Sequence, residues 1–382
     1  MRPLEGMLVL DFAQFLAGPW AATRLADLGA RVIKIERPGS GDICRHLYIS
    51  NLSLDGDSTL FHSINRNKQS YAADLKDPAD LDKVRQLVSR ADVLIQNFRP
   101  GVMERLGLGP AECEKLNPRL VIGVVTGYGA EGPWRDKPGQ DLLAQSVSGL
   151  TWLNGNADQP PMPFGLSVAD LTASAHLVQG ILAALVRRGS TGRGALVEVS
   201  LLESALDLQF EVITTFLNDG GKAPERSSIN NANAYLGAPY GIYATADSHL
   251  ALAMGSVITL GELLELPALA AYSDPQSWFT QRDEIKRHLA RHIRTQPTKH
   301  WLARLEPAGY WCAEVLDWAA LWKTEAFSAL DFVQTVRRDN GPALRTTRCP
   351  IRIDRQRYTS ERGAPRVGQH TQAIQSEFNL GD

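Results

Sequence analysis

The sequence predicts an α/β protein whose larger part is a Rossmann-like domain built on a parallel β-sheet. Short apolar runs at residues 6–12, 31–36, 92–98 and 120–129 are typical of buried parallel strands. Segments with helical periodicity, bounded by helix start and stop residues, separate these runs. Strands that alternate with helices in this way form one sheet with right-handed crossovers.

The elements of this part follow one another regularly. The helix "AGPWAATRLADLGA" has Pro19 in its first turn and Gly29 at its end. A hairpin-like segment, "NRNKQSYAADLK", precedes a helix that opens at Asp77 and Pro78. A pair of short helices over 101–117, an apolar helix that begins at Asp170 in the second half of the stretch 163–188, and a strand and helix over 194–210 complete the predicted domain.

A second part begins where the chain becomes polar and rich in Gly and Asn, at about residue 218. A strand pair within 239–255 and several helices follow, and the charged helix over 283–295 is expected to present a solvated face. The tail over 343–378 predicts a strand, a turn and a closing helix. We therefore expect a large Rossmann-like domain at 1–220 and 328–382, and a smaller α+β domain with linkers at 221–327.

Composition restricts the class of function. The chain of 382 residues has a formal net charge of −2, which provides no basic surface for nucleic acid or an anionic membrane. The four cysteines form no CxxC pair, which favours reduced thiols in a cytosolic protein over a metal–thiolate site. The first strand leaves no room for a signal peptide, and no apolar run approaches the roughly 18 residues of a membrane span. We expect a soluble, cytoplasmic protein.

The ends of the predicted strands indicate a ligand. Ligands of open parallel sheets bind beyond the carboxyl ends of the strands. The segments that follow the strands are rich in Gly, Pro and polar residues, and they bring four cations: Arg37, Arg99, Arg105 and Lys137. Such a cluster suits a small phosphorylated ligand.

Three other interpretations have less support. Glu36 ends the second strand where an acid could bind a ribose hydroxyl, but the first turn holds one glycine and no GxGxxG pattern, which argues against NAD or FAD. His288 and His292 are spaced to share a helix face, but no third metal ligand is suggested, so a solvated face is favoured. No GxSxG elbow supports a serine hydrolase.

Asp170 stands at the head of the apolar helix in "PFGLSVADLTASAHLVQGILAALVRR". As a helix N-cap it would accept backbone N–H groups and stabilise the helix by about 1 kcal/mol. As a nucleophile it would need a carbonyl substrate, oxyanion donors and exclusion of water. The residues alone favour the cap and leave the nucleophile open.

An ordered set of motifs extends along essentially the whole chain. Among them are "LEGMLVLDFAQFLAGPWAATRLADLGARVIKIERPGSGD", "NRNKQSYAADLK", "ADVLIQNFRPGVMERLGL", "LNPRLVIGVVTGYGAEGPW", "PGQDLLAQSVSG", "VADLTASAHLVQGILAAL" and "RVGQHT". This set resembles the class III CoA-transferase family, of the formyl-CoA transferase and carnitine CoA-transferase type.

The resemblance implies an enzyme that moves CoA from an acyl-CoA thioester to a free carboxylic acid through aspartyl-anhydride and aspartyl-CoA thioester intermediates. It implies a homodimer of two interlocked rings, acyl-CoA or CoA as substrate, and no tightly bound cofactor or metal. The family's nucleophile falls on Asp170. Its CoA-binding positions fall on Leu16, Ala17, Arg37, Ala73, Asp74, Leu75, Lys76, Asn97, Phe98, Arg99, Arg105, Lys137, Pro138, Gly139 and Gln140.

Departures from the family's pattern limit the substrate. Leu16 replaces a glutamine of formyl-CoA transferases, "AMGSV" around Gly255 has one glycine where those enzymes have a glycine-rich loop, and Ala173 or Ser174 replaces a glycine of many relatives. Small or dicarboxylic acids are expected, without a named donor or acceptor.

Two alternatives remain. An α-methylacyl-CoA racemase-like enzyme would need a proton-exchanging histidine where this chain has Gln140, and a non-catalytic CoA-binding protein would use Asp170 only as a cap.

Overall fold

A computed structural model describes residues 2–47 and 51–381, which form two compact units. The first unit comprises Met1–Ala144, Ser167–Ala205 and Leu330–Asp382, and the second comprises Gln145–Leu166 and Leu206–Ala329. The strands are β1 (Leu8–Asp11), β2 (Arg31–Glu36), β3 (Ser53–Leu54), β4 (Asp57–Ser58), β5 (Lys68–Ala72), β6 (Val93–Gln96), β7 (Val121–Thr126), β8 (Ala195–Ser200), β9 (Gly241–Ala244), β10 (His249–Leu252), β11 (Cys312–Glu314), β12 (Val333–Arg337), β13 (Ala343–Thr347), β14 (Arg352–Ile353) and β15 (Gln356–Arg357).

The helices alternate with these strands, and short 3₁₀ turns lie at Ile43–His46, Leu150–Trp152 and Pro267–Ala271. The α-helices are α1 (Ala17–Asp27), α2 (Thr59–Ile64), α3 (Pro78–Val88), α4 (Val102–Arg105), α5 (Pro110–Leu116), α6 (Asp141–Val147), α7 (Val168–Thr191), α8 (Leu201–Asp207), α9 (Phe210–Asn218), α10 (Val257–Leu263), α11 (Ser277–Thr280), α12 (Arg282–Ile293), α13 (Thr298–Leu305), α14 (Trp318–Leu321), α15 (Glu325–Leu330) and α16 (Thr371–Phe378).

The first unit is built on a six-stranded sheet in the order β5-β2-β1-β6-β7-β8. All its pairings are parallel, which confirms the predicted parallel sheet. In chain order these strands are arranged 3-2-1-4-5-6, the Rossmann order, in which the direction of winding reverses between β1 and β6. A ligand crevice is expected beyond the carboxyl ends of these two strands.

One predicted element pairs differently. The hairpin-like segment around residue 68 instead forms β5, which joins β2 in parallel with Val32 opposite Lys68. Lys68 and Ser70 are polar but fully buried, because the sheet edge is covered by the returning tail. His370 donates its N–H to the Ser70 carbonyl at 3.0 Å, and the Ala72 N–H is accepted by the Thr371 hydroxyl at 2.9 Å, at the start of α16.

Helices cover both faces of the sheet. On one face α1 and α7 pack together, and Leu25, Leu177 and Ile181 are fully buried there with Val9 of β1. On the other face α3, α5 and α16 cover the side chains that alternate with Val9 along β1, Leu8 and Leu10 among them. This alternation in β1 is the one expected of a strand buried on both sides.

By length and composition alone α7 could cross a membrane. Its buried residues Ala173, Leu177 and Ile181 pack in the core of the first unit, as in a core helix of a globular domain. The sequence prediction was that no apolar run approaches the length of a membrane span. It did not consider α7, because Asp170 and His176 interrupt the apolar residues of that helix.

The second unit has its own antiparallel sheet, β11-β10-β9, and its own apolar core with Tyr243, Leu289 and Trp301 fully or almost fully buried. Its boundaries differ from the predicted smaller domain, since residues 145–166 and 206–220 belong to it. Hydrogen bonds explain why residues 145–166 belong to the second unit. The Ala157 N–H is accepted by the Ser227 carbonyl, and the Asn231 N–H by Asn156 Oδ1, both at 3.0 Å.

The helix predicted over 283–295 has a buried side as well as the expected solvated face. In α12 the residues Ile285, Leu289 and Ile293 are fully buried in the core of the second unit. Charged residues such as Arg287 and Arg291 lie on the exposed side.

Candidate active site

Asp170 occupies the third position of α7, and Ser167 is the residue at the N-cap. The Ser167 side chain makes no capping hydrogen bond. The carboxylate of Asp141 does so instead, since its Oδ1 accepts the N–H of Ala169 at 2.7 Å and the N–H of Asp170 at 3.1 Å. The capping role that the sequence suggested for Asp170 is therefore performed by another residue, and the Asp170 carboxylate can face a ligand.

The surroundings of Asp170 disfavour its ionised form. Burial is the larger cause and the nearby Asp141 charge the second, and together they raise the pKa of Asp170 to about 7. A poorly solvated carboxylate of this kind is a group whose ionisation can be matched to a chemical task near neutral pH.

Asp170 lies in a cleft of about 520 Å³ within the first unit, beyond the carboxyl ends of β1, β6 and β7. Nine of the predicted ligand contacts line the same cleft: Leu16, Ala17, Asn97, Phe98, Arg99, Lys137, Pro138, Gly139 and Gln140. These residues come from three chain segments that are far apart in sequence, and the topology of the sheet brings them together.

A second cavity of about 230 Å³ lies beyond the ends of β1, β2 and β5. It is lined by most of the other predicted contacts, namely Arg37, Ala73, Asp74, Leu75 and Lys76, and Phe98 lines both cavities. Arg105 lines neither, although its neighbour Leu106 lines the second. An elongated ligand could therefore occupy both cavities past Phe98.

The turn between β1 and α1 is held by side chains from neighbouring strands. Asn97 Oδ1 accepts the N–H of Gln14 at 2.8 Å, and its Nδ2 donates to the Gln14 carbonyl at 2.6 Å. Lys34, buried in β2, donates to the Ala13 carbonyl at 2.6 Å. Its ammonium group also pairs with the Asp42 carboxylate at 2.8 Å. Buried charge thus fixes the turn that carries Phe15, which lines the cleft.

The loop that brings Lys137 to the cleft is fixed by glycines and aromatic rings. A Cβ on Gly139 would lie 2.5 Å from the Gly127 Cα, so the two backbones meet where only glycine fits. The Lys137 ammonium lies 4.9 Å from the centroid of the Trp134 ring, a cation–π distance. Tyr128 packs edge-on against Trp134 and donates its hydroxyl to the Pro138 carbonyl at 3.3 Å.

The structure also bears on the alternatives. Glu36 cannot serve a ribose hydroxyl, because its buried carboxylate already pairs with Arg45 at 2.7 Å and accepts the Ser70 hydroxyl at 2.6 Å. His292 Nε2 bonds to the Leu264 carbonyl at 2.8 Å, so it stabilises the second unit. Among the described residues no group of three His, Cys, Asp or Glu side chains could hold a metal ion.

Sequence reasoning missed several residues of the cleft. Asp141 follows Gln140 directly, and an acid at the first position of the helix α6 could have been recognised as a polar anchor. Phe15, Leu47, Leu60 and Arg135 also line the cleft, and no local motif singled them out.

Comparison with known proteins agrees with the sequence resemblance. The model of CoA-transferase family III matches residues 4–371. An acetyl-CoA:oxalate CoA-transferase from Acetobacter aceti is 34% identical, over 98% of this chain and 96% of that protein. A succinyl-CoA:glutarate CoA-transferase from Mus musculus is 30% identical, over 99% of this chain and 86% of the relative.

Solved structures show the same architecture. A CaiB/BaiF family protein from Brucella suis has a TM-score of 0.84 and 27% identity, with 99% of each chain covered. An aspartate-to-alanine variant of Rv3272 from Mycobacterium tuberculosis has a TM-score of 0.85 and 28% identity, over 97% of this chain and 98% of that one.

Proposed function

Since the chain belongs to CoA-transferase family III, we propose that it moves CoA from an acyl-CoA thioester to a small dicarboxylic acid through covalent intermediates on Asp170. One observation carries this proposal: the cleft holds a part-buried carboxylate that its own helix does not use as a cap, since Asp141 supplies that cap.

The reaction exchanges carboxylates and thiolate at one aspartyl carbon. The Asp170 carboxylate attacks the donor thioester carbonyl and the C–S bond breaks. CoA thiolate is released, and an acyl-aspartyl anhydride is formed. The thiolate attacks the aspartyl carbonyl and releases the donor acid, which leaves an aspartyl-CoA thioester. The acceptor carboxylate displaces the thiolate to form a second anhydride, and the thiolate then attacks the acceptor's carbonyl. The new acyl-CoA departs and the Asp170 carboxylate is restored.

A carboxylate suits this sequence because anhydride and thioester both retain the activation of the first thioester. Water would destroy either intermediate, so the burial that raises the pKa of Asp170 to about 7 also protects the chemistry. The ionised form is the nucleophile.

The two cavities, both of which are lined by Phe98, support the placement of CoA. Arg37 in one cavity, and Arg99 and Lys137 in the other, are cations suited to its phosphate groups. Arg105, which lines neither cavity, is proposed to contribute from the adjacent helix α4.

The proposed substrates follow the relatives. The names of the two CoA-transferase relatives specify acetyl-CoA or succinyl-CoA as donor and oxalate or glutarate as acceptor. We propose donors and acceptors of these classes here, with CoA as a substrate and no resident cofactor. A cytoplasmic location, where acyl-CoA is available, fits this chemistry.

An exposed apolar helix supports a homodimer, which by the family resemblance would be interlocked. None of the residues of α9 is buried, and Phe210 and Leu217 are 66% and 70% exposed. Such a face is costly in water unless another molecule covers it. Light scattering of the purified protein should give twice the mass of the chain, and the double variant Phe210→Glu and Leu217→Glu should weaken the dimer.

The covalent mechanism is tested by trapping. During turnover, hydroxylamine or borohydride should modify Asp170, as detected by peptide mass spectrometry. Asp170→Ala should lose transfer, whereas Asp158→Ala, an exposed aspartate, should retain it.

Other outcomes would favour the alternatives. Transfer by Asp170→Ala at the wild-type rate would exclude the covalent route. Uptake of deuterium at the α-carbon without carboxylate exchange would indicate a racemase. Tight CoA binding without exchange on any acid would indicate a binding protein.

A further inference from the structure

Phe15 has an unusual backbone conformation for a bulky residue. Its φ is 61°, in the left-handed region that residues other than Gly, Asn and Asp rarely adopt. The residue is 50% exposed, so packing in a core does not explain the conformation. Strained residues of this kind persist where the surroundings hold them, and they cluster at ligand sites.

The surroundings that hold Phe15 are the contacts of its neighbours. Gln14, directly before it, has both its N–H and its carbonyl bonded to the Asn97 side chain, at 2.8 and 2.6 Å. The Ala13 carbonyl accepts from Lys34, and the Ala13 N–H donates to the buried Asp11 carboxylate at 3.0 Å. Asn97, predicted from the family resemblance to contact CoA, thus uses both its polar atoms on the turn.

The ring of Phe15 forms part of an apolar wall of the cleft that contains Asp170. Leu16, Leu47 and Leu60 line the same cleft, and Leu47 is 39% exposed. The cations of the cleft, such as Arg99 and Lys137, come from the segments after β6 and β7. Apolar side chains that line the same cleft as a reactive carboxylate are suited to the carbon body of an acyl group.

We propose that Phe15, positioned by Asn97, is a specificity-determining residue that selects acids with an extended or branched apolar carbon body over oxalate. This inference rests on the proposed CoA transfer through Asp170. Oxalate has no carbon between its carboxyl groups, so the ring has nothing to contact. In glutarate and its methyl derivatives the central carbons would lie against the ring.

A series of acids with equal charge tests the proposal. The acceptors are oxalate, succinate, glutarate and 3-methylglutarate, with one acyl-CoA donor. For the wild type, kcat/KM should increase along the series by roughly tenfold per added carbon, the lower end of what one methylene contributes in an apolar pocket. In Phe15→Gly the ratio of kcat/KM for 3-methylglutarate to that for succinate should fall at least tenfold.

Phe15→Gly is chosen because glycine adopts a positive φ without strain, so this variant should fold. Asn340→Gly is the matched control: Asn340 also has a positive φ, of 50°, but lies in the turn between β12 and β13, and this variant should keep the wild-type ratio. Phe15→Tyr retains a ring and should retain most of the discrimination.

Asn97 is tested as a positioning residue by a double-mutant cycle. Asn97→Ala should reduce the discrimination on its own, but should reduce it no further in the Phe15→Gly background. Additive effects would show that Asn97 acts on the substrate directly and would overturn its positioning role.

Two results would overturn the selectivity of Phe15: an unchanged ratio in Phe15→Gly, or a wild-type preference for oxalate. These differ from a failure of the proposed function, in which the wild type transfers CoA to none of the acids and the inference falls with it.

Discussion

The Asp141 carboxylate caps the helix that carries Asp170, with its Oδ1 3.1 Å from the Asp170 nitrogen. One acid thus satisfies the backbone at the helix start and places a second negative charge beside the candidate nucleophile. The two consequences act in opposite directions on the nucleophile. The cap positions Asp170, whereas the charge raises its pKa and so reduces the fraction that is ionised at neutral pH.

The first prediction concerns the pH dependence of CoA transfer. Burial, and then Asp141, raise the pKa of Asp170 to about 7, and only the ionised carboxylate attacks a thioester. The kcat/KM for acyl-CoA should therefore be constant above the pKa and fall about tenfold per pH unit well below it. Initial rates between pH 5 and 9 measure this profile, and a rate that is independent of pH down to 5 would contradict it.

The second prediction separates the two roles of Asp141. Asp141→Asn retains an oxygen that can accept the Ala169 and Asp170 N–H groups but removes the charge. The acid limb of the kcat/KM profile should move to lower pH, because the pKa of Asp170 falls. Asp141→Ala removes the acceptor too, and should lower kcat at all pH values. If both variants gave the same profile, the hydrogen-bond acceptor at position 141 would have no separate effect. If the acid limb of Asp141→Asn stayed at the wild-type pH, the charge of Asp141 would have none.

The third prediction concerns stability. Asp170 has a raised folded-state pKa, so its ionisation destabilises the fold, and stability is lost as pH rises from about 4 to about 7. Asp170→Asn, which stays neutral, should be more stable than the wild type above pH 7, by at most about 4 kcal/mol and by less if water reaches the carboxylate. Urea unfolding at pH 8 and at pH 4 measures this difference, which should almost vanish at pH 4.

The fourth prediction concerns the loop that carries Lys137. Gly139→Ala places a methyl group about where the Gly127 backbone lies, since the added Cβ would be 2.5 Å from the Gly127 Cα. The loop must shift, so the KM for acyl-CoA should rise by roughly tenfold or more, in line with the cost of small misplacements in a site. Steady-state kinetics measure it, with Gly189→Ala as the control because a Cβ there meets no atom within 4 Å.

Much of the first unit was predictable because its determinants are local. Buried strands such as β1 and β7 are continuous apolar runs, and helix starts such as Asp77 followed by Pro78 have their own chemistry. The pairing of β5 was less predictable. Its polar Lys68 is buried through hydrogen bonds to Asp11, Asn65 and the Pro19 carbonyl, none of which is apparent from neighbouring residues in the sequence.

Residue patterns along the chain were enough to predict the fold class, the family and the candidate nucleophile, because periodicity and ordered motifs can be recognised without knowledge of the folded structure. Three features depend on the folded chain: which acid caps α7, what holds Phe15 in its conformation, and how the predicted contacts divide between two cavities that are both lined by Phe98. These features depend on contacts between segments far apart in the chain. The strand order of the parallel sheet brings the carboxyl ends of its strands, and the loops that follow them, to one edge.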